Sequence, residues 1–93
     1  MIKSFNCKET EKIFHRIVSR KLPETIQKTA HRKLLMIDAA TNLNDLRMPP
    51  SNHLEKLKGK RKEQYSIRVN DQWRICLNWE NGNAYRVEII DYH

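Results

Sequence analysis

Apolar residues recur at two spacings along this chain, and the change from one to the other divides it. Ile13, Phe14, Ile17 and Val18 fall three to four residues apart, which predicts a helix running to about Arg20. Asn6 with Glu9 three residues on has the pattern of a capping box at its start. Ile26, Ala30, Leu34 and Ile37 repeat the helical spacing after Pro23, and Leu35, Met36 and Ala39 widen the apolar face of a second helix ending near Ala40. Pro49-Pro50 closes any helix. From Tyr65 onward the period is two. Tyr65, Ile67 and Val69, then Trp73, Ile75, Leu77 and Trp79, then Tyr85, Val87 and Ile89 alternate with polar residues, as half-buried antiparallel strands do. With a short strand at Ile2–Phe5, the order is β-α-α-β-β-β. This is an α+β domain of residues 1–93, one sheet packed on two helices.

The alternation also sets a register. Around the loop Asn70-Asp71-Gln72, pairing Val69 with Trp73 puts Ile67 opposite Ile75 and Tyr65 opposite Leu77. A slip of one residue would split the apolar sets between faces, so the register is well specified. It places Arg68 directly across from Arg74. Opposed like charges are unfavourable in a sheet, so an anion held between them is the functional expectation. Glu80-Asn81-Gly82 suits a three-residue hairpin with Gly82 left-handed. Matching apolar faces then pairs Leu77 with Tyr85 and Ile75 with Val87, which sets Glu88 across from Arg74 and Tyr92 on the arginine face. A solvated face with Glu88 neutralising Arg74 would produce the same pattern.

Composition narrows the chemistry. Lys and Arg number 18 against 11 Asp and Glu, a net charge of +7 in 93 residues. Such a balance favours a polyanion, most often nucleic acid. No apolar run approaches membrane-spanning length, and Met1-Ile2-Lys3-Ser4-Phe5-Asn6 lacks the apolar stretch of a secretory signal. Cys7 and Cys76 are far apart and fit two free thiols in a cytoplasmic protein. The histidines at 15, 31, 53 and 93 share no ligand spacing, so neither a metal nor another cofactor is expected. His15 and His31 read as surface or packing residues. Gly59 and Gly82 are the only glycines, which argues against a phosphate-binding glycine loop.

Two segments carry the candidate chemistry. Lys56, Lys58, Lys60, Arg61 and Lys62 surround Gly59 and lead toward the two-arginine face, with His53 and Glu55 just before them. Lysines there could position RNA through its phosphates, while arginines can grip a phosphate with two hydrogen bonds. At the other end, Asp91-Tyr92-His93 sets an acid, a phenol and an imidazole directly after an apolar alternating segment, and such groups can move protons.

These residues resemble a known family. His53-Leu54-Glu55-Lys56-Leu57-Lys58-Gly59, the run from Tyr65 to Ile75 and the closing Asp91-Tyr92-His93 are similar to the HigB toxins of the RelE superfamily. Met1–Phe5 and Ile37-Asp38-Ala39-Ala40-Thr41 look like the same family, so the resemblance spans the chain. It implies a toxin of a type II toxin–antitoxin system: a ribosome-dependent, metal-independent endoribonuclease that cuts mRNA during translation. It also implies inhibition by a HigA-like helix-turn-helix antitoxin, which would bring the toxin indirectly to operator DNA. Carried over by position, the site comprises Lys58, Arg68, Arg74, Asp91, Tyr92 and His93. Family members with a histidine three residues before the lysine have Glu55 at that position here, so the role falls to either Glu55 or His53. The alternative function is a basic module that binds RNA or ribosomes without cleaving.

Overall fold

The computed structural model describes residues 1–61 and 63–92; the side chain of Lys60, and all of Lys62 and His93, lie outside the described residues. Two helices, α1 (Lys8–Phe14) and α2 (Glu24–Ala39), precede four strands, β1 (Glu55–Lys56), β2 (Tyr65–Arg68), β3 (Trp73–Glu80) and β4 (Asn83–Asp91). The strands form one antiparallel sheet in the order β1-β2-β3-β4. The α+β arrangement agrees with the sequence reading. The pair Glu55–Lys56 adds a strand inside the stretch read as a connection. Ile2 and Phe5 instead make isolated parallel bridges to Ala84 and Val87, so the opening segment runs beside β4 without becoming a regular strand.

Helix α1 is shorter than its periodicity suggested. Arg16 takes a left-handed φ of 64°. The Ile17 N–H then reaches back to the Lys12 carbonyl at 2.8 Å, and the Arg16 N–H to Ile13 at 3.1 Å. These are the two bonds of a Schellman ending, which stops the helix before Ile17 and Val18. Those two residues are accordingly exposed rather than core. The expected cap is also displaced: Cys7 is the N-cap and has no side-chain bond, while Glu9 accepts from Ser19 Oγ at 2.6 Å. That hydrogen bond, with Lys12 and Lys21 nearby, holds the Glu9 carboxyl below its ordinary range. A complete capping box sits at Asn42 and Asp45 instead, opening a short 3-10 turn, Leu43–Arg47.

The core lies between α2 and one face of the sheet. Ile26, Ala30, Leu34 and Ile37 pack against Ile67, Ile75, Leu77, Val87 and Ile89, with Ile13 from α1, Leu46 and Ala84 completing the cluster. Trp73 and Trp79 are half-buried against it, as their parity predicted. Leu35 and Ala39 are exposed, whereas Lys33 takes a buried place on the same helix. Its ammonium bonds Asn52 Oδ1, and burial pushes its pKa down, with Arg32 and Arg68 adding to the effect. Asn52 is fully buried and donates to the carbonyls of Leu46 at 3.1 Å and Met48 at 3.2 Å. One amide therefore ties the connecting segment to α2. Asn52→Ala should lower unfolding stability by about 2 kcal/mol, because three polar groups lose their partner inside the protein. Urea denaturation measures this, and a change below about 0.5 kcal/mol would mean that water replaces the amide.

The first hairpin has the register read from the sequence: Tyr65 faces Leu77, Ile67 faces Ile75 and Arg68 faces Arg74. The second does not. Its turn holds two residues, Asn81 (φ 51°) and Gly82 (φ 78°), between the paired Glu80 and Asn83. Two successive left-handed residues make a type I′ turn, which suits the twist of a hairpin better than the three-residue loop expected. Tyr85 then opposes Asn78 instead of Leu77. A bulge follows, where Arg86 (φ 53°) and Val87 together oppose Leu77. Beyond it Glu88 faces Cys76, not Arg74, and Ile90 faces Arg74. Among the described residues, no helix is long and apolar enough to cross a membrane.

Candidate active site

The sheet face away from the core helices is polar and partly roofed. Pairing of Glu55 with Ser66 and Lys56 with Tyr65 lays the segment around β1 along the edge of β2. Gly59, with φ +68° and open space about its α-carbon, turns the chain after Lys58. The segment then returns through a 3-10 turn, Gly59–Arg61, and the Leu57 N–H bonds the Gln64 carbonyl at 2.8 Å.

Arg74 stands at the centre of this face and is only 8% exposed. Its Nε donates to Ser66 Oγ at 2.8 Å, and Nη2 donates to the Ser66 carbonyl at 3.3 Å and to the His53 carbonyl at 2.5 Å. Glu55 Oε1 lies 3.7 Å from Nη2. Above the guanidinium is the ring of Tyr92, whose centroid is 5.5 Å from Cζ, within cation–π range. The Tyr92 N–H also donates to the Gln72 carbonyl at 2.6 Å, fixing the backbone just past β4. Arg74 thus links β2, the segment before β1, and the aromatic ring.

The expected anion-binding pair is arranged differently. Arg68 and Arg74 are neighbours across the strands, but each has its own carboxylate, Asp71 for Arg68 and Glu55 for Arg74. Repulsion between them is met by these two acids. Glu88, expected to neutralise Arg74, is 3.5 Å from Arg61 instead, as the bulge requires. Cys76 is buried between Ser66 and Glu88 in the ladder, and desolvation pushes its thiol up to about 11, so it is held as a neutral packing group.

Beside Tyr92 a cleft of about 310 Å³ opens, lined by Glu55, Lys56, Leu57, Lys58, Arg61 and Tyr92. Five of the residues singled out in the sequence meet there. His53 is exposed and outside the lining, in a left-handed conformation with φ 44°, and contributes its carbonyl to Arg74. Asp91 pairs with Trp73 in the ladder, so alternation puts it on the face opposite Tyr92, where Gln72 Nε2 donates to it at 3.0 Å. The acid and the phenol of the closing triplet are therefore separated by the sheet. Gln64, Asn78 and Arg86, which the sequence reading passed over, line a second cleft with Arg61. Asn78 and Arg86 both fall at polar positions of the alternation, and the bulge decides that Arg86 joins this cleft.

Comparison with known proteins gives a consistent result. Residues 3–93 match the family model described as a RelE-like toxin of type II toxin–antitoxin system HigB. An uncharacterized protein of Haemophilus influenzae is 51% identical over 64 residues, covering 69% of this chain and 63% of its own length. The matched stretch thus spans less than two thirds of that relative. Toxin HigB-1 of Vibrio cholerae is 45% identical over 65 residues, 70% of this chain and 68% of its own. Endoribonuclease HigB of Proteus vulgaris is 36% identical over 93 residues, the full length of both. Among solved structures, YafQ from E. coli strain BL21(DE3) superposes with a TM-score of 0.59 at 12% identity, covering 98% of this chain and 93% of that one. A YafQ point mutant gives 0.65 at 10% identity with the same coverage. At those identities the likeness is one of fold.

Proposed function

Because the chain belongs to the RelE-like HigB toxins of type II toxin–antitoxin systems, we propose that it is an endoribonuclease that cleaves mRNA on the translating ribosome. The observation that carries this is the meeting of Tyr92, Glu55 and three cations, Lys56, Lys58 and Arg61, in one open cleft. Strand cleavage of RNA needs proton transfer at two oxygens and positive charge around one phosphate. A base takes the proton from the ribose 2′-hydroxyl, and that oxygen attacks the adjacent phosphorus. The bond to the 5′-oxygen of the next nucleotide breaks, and an acid protonates that oxygen as it leaves. The products are a 2′,3′-cyclic phosphate and a 5′-hydroxyl end.

In this reading Lys58 and Arg61 stabilise the phosphoryl oxygens, each contributing about 3 kcal/mol if well placed. Tyr92 stacks on a base or supports proton transfer, and His93 is a general acid or base. Glu55, rather than His53, is the residue of the connecting segment that acts, since Glu55 lines the cleft and His53 does not. Arg68 lies at the margin, paired with Asp71. The partners are the ribosome with its mRNA and a HigA-like helix-turn-helix antitoxin, through which the toxin reaches operator DNA, and the setting is the cytoplasm. The net charge of +7 supports an RNA-rich target.

Purified protein added to programmed ribosomes should produce new mRNA 5′ ends within the translated codons, and none on the same mRNA without ribosomes. Mapping those ends tests the proposal. Ribosome binding without new ends would instead identify a non-cleaving binding module.

A further inference from the structure

The second cleft, about 520 Å³, adjoins the first and shares Arg61 with it. Every residue that lines it has a polar or charged side chain: Asn6, Arg61, Glu63, Gln64, Asn78 and Arg86. Its amides are held in place. Arg61 Nη1 donates to Gln64 Oε1 at 2.9 Å, Gln64 Nε2 donates to Asn78 Oδ1 at 3.2 Å, and Asn78 Nδ2 donates to the Glu63 carbonyl at 3.3 Å. Asn6 Nδ2 is turned toward Glu88 at 3.4 Å. Arg86 enters the lining through the β4 bulge, in a left-handed conformation that arginine rarely adopts, with its N–H held by Ser4 Oγ at 2.9 Å. Bulges re-aim side chains in this way, and a strained non-glycine residue beside a cleft points to use.

The mixture of groups selects a ligand. A site for phosphate alone would not carry the Glu63 carboxylate. Guanidinium, amide and carboxylate groups together offer the donors and acceptors that read a nucleobase edge. We propose that this cleft binds one base of single-stranded RNA next to the position cleaved, with Arg86 and Glu63 as its selective contacts. This rests on the endoribonuclease reading for the word "cleaved" but not for the binding of a base. The base could belong to the mRNA or to ribosomal RNA.

Arg86→Ala and Glu63→Ala change exposed residues and leave the core intact. Labelled single-stranded RNA 9-mers of each base composition, titrated by fluorescence anisotropy, test the subsite without requiring cleavage. Wild-type protein should prefer one composition, and each variant should flatten that preference by roughly tenfold. An equal loss for every composition would indicate phosphate contact only, and an unchanged preference would mean no contact; either overturns the proposal. Programmed ribosomes carrying mRNAs permuted around the cut then separate the two sources. Flattened cleavage preference at one mRNA position identifies an mRNA base, and a uniform rate loss on all templates identifies a ribosomal one. Absence of cleavage by wild-type protein, with base-selective binding retained, would defeat the enzymatic reading and leave the base subsite standing.

Discussion

Replacing His93 with glutamine should lower the single-turnover rate of mRNA cleavage on programmed ribosomes by at least about 100-fold, with no measurable change in thermal unfolding. Glutamine keeps a polar side chain of comparable reach but cannot exchange a proton near neutrality, whereas imidazole, with an ordinary pKa of about 6.5, can do so in either direction. Tyr92, the residue before it, is anchored through its N–H to Gln72 and through its ring to Arg74. Tyr92 itself lines the cleft with Lys58 and Arg61. Toxicity on induced expression should vanish in parallel with cleavage. A variant that cuts within twofold of the wild-type rate would remove His93 from the proposed mechanism. The remaining cleft acid, Glu55, would then have to supply the proton chemistry.

The second large effect is expected at Arg74. Its guanidinium joins Ser66, the His53 carbonyl and Glu55 beneath the Tyr92 ring. Arg74→Ala should cost about 2–3 kcal/mol of stability, because buried acceptors lose their donor. It should also lower cleavage by more than the loss of folded protein explains. Arg74→Lys separates the two effects. A lysine keeps the charge under the ring and one hydrogen bond but cannot reproduce the guanidinium fork. It should recover most of the stability while turnover on ribosomes stays at least about tenfold down, chiefly in kcat if the ring and the β1 segment are misplaced. Urea denaturation and single-turnover cleavage measure the two quantities. If Arg74→Lys recovers both, charge alone suffices and the directional contacts carry no functional weight. If Arg74→Ala alters neither, the hub described above is incidental.

Much of this arrangement could be read before any coordinates. The helical spacing of Ile26, Ala30, Leu34 and Ile37 located α2, since only one face of that helix can meet a core. The first hairpin was fixed because a one-residue slip would have put Ile67 and Ile75 on opposite sides. The grouping of Glu55, Lys56, Lys58 and Arg61 with Tyr92 was also anticipated, partly through sheet parity and partly through family resemblance. Parity already held a further consequence: residues 91 and 92 alternate, so Asp91 and Tyr92 belong to opposite faces.

Other features were beyond local pattern. Ile17 and Val18 continue the apolar period of α1, yet a Schellman ending at Arg16 places them outside the core. The second hairpin has both a two-residue turn and a bulge; each moves the register by one residue in the same sense, and a total shift of two restores the parity, so neither leaves a mark in the alternation of Tyr85, Val87 and Ile89. Nothing in the helical spacing marks Lys33 for burial, but Asn52, nineteen residues on, gives it a buried partner.

By itself the sequence determined the two helices, the three long strands, the pairing of Arg68 with Arg74 and a strongly basic surface, because periodicity and charge are local properties. Tertiary structure decided what the arginines do. Arg74 is sealed by Ser66, His53 and Tyr92, which are 8, 21 and 18 residues away in the chain, and Arg68 is turned to Asp71. It likewise decided that Arg86 joins Gln64 and Asn78 at a second cleft. Such juxtapositions depend on how an aperiodic segment docks and where a ladder bulges. Both are settled by long-range packing and hydrogen bonding, which a one-dimensional pattern does not record.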